Sequence, residues 1–159
     1  MKHRPNYITN STEWDCGPTV LTNLIIWLGC AERSSSLRQS LIHVLDCDEE
    51  GTYDEDLDRW LRESGSNVYG FKVRITKKPR HKSLLNHMHR GGAVILAHID
   101  ITEEWHYSLW FYKKDKLIGV NVISNIDEPI LSFNDDHVFS HLCYKHDKSD
   151  RPVAWMITR

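Results

Sequence analysis

Residues 19–28 read TVLTNLIIWL, and they follow Asp15-Cys16-Gly17-Pro18. Val20, Leu21, Leu24, Ile25 and Leu28 recur at helical spacing until Gly29 ends the run. Pro18 suits the first turn, where its missing N–H costs nothing. This helix is apolar on nearly every side, so it offers water no wet face. It is stable only if other elements cover it from several directions, so the chain is expected to fold around 16–29.

The remainder must supply that cover. At 159 residues and 40% hydrophobic, the chain can bury one adequate core, which predicts a single domain over 1–159. Aromatic residues make up 10%, too many for a disordered chain. A net charge of −2 exerts no overall pull on nucleic acid or anionic membrane, so neither partner is expected. No apolar run has transmembrane length, and MKHRPNYITN lacks the apolar core of a signal peptide, which predicts a cytoplasmic protein. Cys16, Cys30, Cys47 and Cys143 are widely spaced without a CxxC pair, so free thiols are expected and no metal.

The covering elements follow from local patterns. A second helix is expected from Leu37 to about Leu45. A third begins at a capping box, Thr52 with Glu55, and runs through Leu57, Trp60 and Leu61 to Gly65. Val68–Ile75 alternates as a half-buried strand, with Phe71, Val73 and Ile75 on one face. A short helix is expected at about Ser83–Met88, then the central-type strand AVILAHI. HYSLWFY (106–112) and LIGVNVI (117–123) read as a hairpin across KKDK. Ser132 is expected to cap a helix through Phe139 and Leu142, and VAWMIT closes the chain as a strand. Helices first and a mostly antiparallel sheet second make an α+β domain.

Cys16 stands at the mouth of the buried helix, where unpaired backbone N–H groups and the helix dipole favour a thiolate. A nucleophile also needs a base, an orienter and oxyanion donors. His106, at a strand start, is the candidate base, with His98 as a rival. The hairpin pairing brings Asn121 close to His106. As a polar residue in an apolar strand it needs a hydrogen-bond partner, and an amide can fix an imidazole tautomer without carrying charge. Asn125, Asp115 and Asp127 are alternative orienters.

In these stretches the chain resembles the papain-like cysteine peptidases, and among them the bacteriocin-processing (double-glycine leader) peptidase domains and their stand-alone relatives. DCGPTVLTNLIIWLG resembles the nucleophile helix, EEGTYDEDLDRWLRESG the following Gly-Thr helix, RGGAVILAHI with WHYSLWFY the buried and His-bearing strands, and LIGVNVIS the strand of the third triad member. The resemblance covers about residues 10–125. It implies a papain-like fold, with N-terminal helices and a central nucleophile helix packed on the sheet. It assigns Cys16 as nucleophile, His106 as general base and Asn121 as orienter. Asp is usual at the third position in the bacteriocin-processing relatives and Asn in the papain branch. The family's oxyanion glutamine, six residues before the cysteine, is here Asn10, with the Cys16 amide as second donor.

Other patterns carry less. His43 and Cys47 have metal-ligand spacing without two further ligands. DCDEEGTYDEDL lacks the twelfth-position glutamate of a calcium loop. His87 and His89 near a helix end point in different directions. KVRITKKPRHK is locally basic but alternates like a solvated strand face. The expected function is thus cleavage of a peptide or isopeptide bond in a protein or peptide substrate, through a thioester on Cys16 and without a cofactor. The alternatives are acyl transfer or deamidation on the same triad, and a catalytically inactive binding module.

Overall fold

A computed structural model describes residues 5–30, 34–124, 126–145 and 152–159. Helix α1 spans Cys16–Trp27 and is buried from Cys16 to Ile26, as its all-round apolarity demands. Helix α2 covers Ser34–Val44, and α3 begins at Asp54. The expected capping box does not form. Tyr53 is the N-cap and no side chain caps the helix. Thr52 instead packs its side chain onto Gly17, where an added Cβ would meet Thr52 Oγ1 at 2.2 Å.

Gly65 does not end this helix as expected. The backbone passes from α3 (Asp54–Arg59) through a π-helical turn, Trp60–Gly65, into α4 (Ser66–Tyr69), and stops at Gly70, whose φ of 69° is left-handed. A π turn places residue i+5 beneath residue i. The Trp60 ring fills the space a Gly65 Cβ would take, 2.4 Å away. Glycine here admits a tryptophan rather than breaking a helix. Val68 and Tyr69 are therefore helical, and the strand expected from Val68 is shortened to β1, Lys72–Thr76.

After α5 (His81–His89) come β2 (Ala93–Ile99), β3 (Trp105–Lys113) and β4 (Lys116–Val120). The β3–β4 hairpin turns at Lys114 and Asp115, both with positive φ, as tight two-residue hairpins require. Ser132 caps nothing: Ile130–Phe133 is strand β5, and α6 (His137–Tyr144) starts from Asp136. Strand β6, Val153–Thr158, inserts between β1 and β2, giving the fully antiparallel order β1-β6-β2-β3-β4-β5.

Helices lie on both faces of this sheet. On one face Ala93, Ile95, Ala97, Tyr107, Leu109 and Phe111 pack against α1. On the other Val94, Leu96 and Trp110 pack against Leu84 and Met88 of α5 and Phe139 and Leu142 of α6. Period-two alternation assigns each strand residue to one layer.

Candidate active site

Cys16 is the first residue of α1 and only 6% exposed. The preceding loop holds it in place. The Asp15 carboxylate is fully buried and accepts the N–H of Ser11 at 3.1 Å, that of Thr12 at 3.3 Å, and the Ser11 hydroxyl. Arg38 of α2 lies 3.9 Å from the same carboxylate. Asn23, deep in α1, accepts the Ile8 N–H at 2.9 Å and donates to the Ile8 carbonyl at 3.0 Å. These bonds fix the segment that carries Asn10.

The dipole argument predicted an ionised thiol, and burial overrides it. Desolvation pushes the Cys16 thiol up to about 12, while the Tyr107 and Gly17 backbone groups pull the other way without compensating. Cys47 and Asp15 raise it further. The resting sulfur is a neutral thiol. It lines a cavity of about 490 Å³ with Trp14, Thr52, Trp105 and Tyr107, rimmed by Glu13, Glu49, Glu50 and Glu104.

His106 does not share this cavity. Cross-strand pairs are Ala97 with Tyr107 and His98 with His106, so Tyr107 faces α1 and His106 faces the opposite layer with His98. No hydrogen bond joins His106 to Cys16. His106 Nε2 donates to the backbone carbonyl of Asn121, which fixes the tautomer and leaves Nδ1 to accept from Ser124 Oγ at 3.2 Å. Burial lowers the His106 pKa despite the Asn121 carbonyl and Asp100. Beside it, at 5.7 Å between ring centroids, burial and His106 hold His98 down to about 3. His98 Nε2 meets Ser108 Oγ at 2.8 Å, and that oxygen also accepts Trp110 Nε1–H.

Asn121 does come to His106, but through its carbonyl rather than its side-chain amide. It lies one residue beyond β4, at φ 53°, a left-handed conformation that Asn tolerates. Its N–H donates to the Pro129 carbonyl at 2.7 Å. Its side-chain amide donates to Asn10 Oδ1 at 2.6 Å, so Asn10 and Asn121 meet across 111 residues of sequence. The Asn10 Nδ2 atom is buried without a partner, a free donor. Asn125 lies outside the described residues, Asp115 sits at the distal hairpin tip, and Asp127 is exposed.

Several polar residues at this end of the sheet lie outside the expected triad. Ser124 was silent in the sequence because serine in a loop is commonplace. Asp100 accepts N–H groups of Thr102 at 2.8 Å and Ser124 at 3.3 Å; burial works to raise its pKa, but these bonds hold it below the ordinary value. Tyr107 had a readable signal: as neighbour of His106 in a strand it had to face the other layer. His43 and Cys47 share no helix face, since α2 ends at Val44 and the Cys47 thiol turns to the Trp14 carbonyl. His87 bonds the Ile157 carbonyl at 2.8 Å and His89 stacks on Tyr112.

No protein-family model matches the chain, and no curated protein matches it in sequence. Among solved structures it is similar to a Bacillus anthracis protein provisionally assigned as a C39-like peptidase. The TM-score is 0.61 at 10% identity, covering 98% of this chain and 96% of that one. The likeness extends over the fold as a whole. Among the described residues no helix is long and apolar enough to cross a membrane.

Proposed function

We propose that the chain is a thiol-dependent peptidase with Cys16 as its nucleophile. The observation that carries this reading is the position of Cys16: the first residue of a buried helix, with its sulfur on the wall of a cavity. The similar structure is described as a C39-like peptidase, in keeping with that chemistry. Asn10 Nδ2 is a buried donor with no partner, and on this reading it serves the oxyanion together with the Cys16 amide.

On this reading the described conformation is a resting state. For this chemistry the His106 ring must leave the Asn121 carbonyl, and the start of β3, paired with β2 through His98–His106 and Ile99–Trp105, must rearrange to bring it to the Cys16 side. Cys16 Sγ then attacks the scissile carbonyl as His106 takes the thiol proton. The proton passes to the leaving amine, a thioester remains on Cys16, and water releases the acid.

A second reading, a binding module without catalysis, is favoured by one observation: Tyr107, and not His106, shares the Cys16 layer. A peptidyl chloromethyl ketone separates the two. The peptidase reading expects alkylation of Cys16 ahead of the buried Cys47 and Cys143, with loss of labelling in His106→Ala. Equal labelling of Cys16 in wild type and His106→Ala would establish the binding module. Product formed with an added amine, in place of water, would assign acyl transfer.

A further inference from the structure

The charge of this chain is unevenly distributed. Seven Lys and Arg residues and no Asp or Glu fall between 72 and 90, a stretch of +7, while the other 140 residues carry −9. The stretch builds edge strand β1 and helix α5, and α5 packs on the sheet face opposite α1.

Two adjoining cavities open between these elements, one of about 230 Å³ and one of about 400 Å³, and both are lined by Arg74 and His87. Lys72 completes the first, and Ser83, Asn86 and Arg90 the second. Together they form one trough with three fixed cations along it. Among the described residues, the basic partners of the ion pairs are Arg38, Arg59, Arg62, His81 and Lys145, and none comes from the trough. Arg74 Nη2 spends a donor on the Met156 thioether at 3.4 Å, a weak acceptor for a guanidinium. Its other N–H groups remain available.

Edge strands often carry Lys and Arg to discourage pairing with other chains. That accounts for Lys72 and Arg74. It does not account for Ser83 and Asn86 of α5 and its C-cap residue Arg90, which line the same trough. Two guanidinium forks match oxyanions bidentately, and Ser and Asn add neutral donors. Three positive charges in one recess call for more than one negative charge. The recess favours a discrete ligand over the flat plane of a bilayer.

We infer that this trough binds the phosphate groups of a small, free di- or triphosphorylated ligand, with Arg74 and Arg90 as the principal contacts and Lys72 at one end. The inference does not depend on the thiol chemistry.

The test is calorimetric titration of the full chain with inorganic tripolyphosphate, pyrophosphate and monophosphate at fixed salt. Tripolyphosphate is expected to bind at least tenfold tighter than monophosphate. Arg74→Gln and Arg90→Gln should each weaken it about tenfold, while Lys77→Gln, outside the trough, stays within twofold. Arg74→Lys, which keeps the charge but loses the fork, should fall between wild type and Arg74→Gln. These side chains are exposed, and the melting temperature of each variant checks that the fold is unchanged. The inference is overturned if tripolyphosphate does not bind, or if it binds the Arg74→Gln/Arg90→Gln double variant as it binds wild type. A 20-mer oligonucleotide that binds and is not displaced by millimolar tripolyphosphate would overturn it too, by assigning the trough to nucleic acid.

Discussion

His106 and Tyr107 are neighbours on β3, yet they serve different layers. The Tyr107 hydroxyl lies 2.9 Å from the Thr52 carbonyl and 2.5 Å from Asp54 Oδ1, on the side of Cys16. The His106 imidazole bonds the Asn121 carbonyl on the other. The sheet itself thus lies between the proposed base and the Cys16 thiol.

Tyr107 ties the start of α3 to the sheet, and its own ionisation is suppressed by burial and by Asp54. Replacing it with Phe keeps the ring and deletes the donor to a carboxylate, a loss of about 2 kcal/mol. Urea unfolding of Tyr107→Phe should show a lower midpoint with an unchanged m-value. Stability equal to wild type would mean that this contact does not hold α3.

Cys16 should react as a neutral, buried thiol towards small reagents. Because burial pushes it up to about 12, its alkylation by iodoacetamide should keep rising beyond pH 9, roughly tenfold per pH unit as the thiolate fraction grows. At pH 8 it should lag far behind the exposed Cys30. A plateau below pH 8 would instead reveal a thiolate stabilised by the helix dipole.

Gly17→Ala tests the contact between the two motifs. The new Cβ would fall 2.2 Å from Thr52 Oγ1 and 2.5 Å from Thr52 Cβ, an overpacking that costs about 1–3 kcal/mol. Adding Thr52→Gly removes both atoms, so the double variant should recover part of that loss. Additive effects of the two changes in a double-mutant cycle would show that the residues are not coupled.

Acid should destabilise the protein through its buried histidines. His98 is held at about 3 against an unfolded value near 6.5, and His106 is also lowered. His106, Asp100 and Lys145 are the charged or titratable groups acting on His98. Between these values the unfolded chain binds more protons, so the stabilisation is complete above pH 6.5 and is lost as pH falls towards 3. Melting temperature should therefore drop between pH 6.5 and 4.5, with a shallower slope in His98→Gln. Identical slopes would remove His98 from the account.

Much of the frame was legible because local patterns have few physical solutions. An all-round apolar helix at 16–27 had to be central, and a continuous apolar AVILAHI had to be an inner strand. The misreadings share one cause. Thr52, Gly65 and Ser132 each match a local signal for a helix terminus, yet Thr52 is taken by Gly17, Gly65 by the Trp60 ring, and Ser132 by pairing with Ile118. A tertiary contact outweighed a capping preference worth about 1 kcal/mol.

The same division runs through the candidate site. Sequence alone determined that Cys16 opens a buried helix and that His106 lies near the start of a strand, since periodicity is local; Asn121, expected inside the strand 117–123, instead falls one residue past β4, which ends at Val120. Even the opposite orientation of His106 and Tyr107 is implicit in strand alternation. Only the tertiary structure decided which layer α1 packs against, and hence that Tyr107 rather than His106 meets Cys16. It also decided that Cys16 is neutral, because a thiol's ionisation depends on how much water surrounds it, and that is fixed by the whole fold.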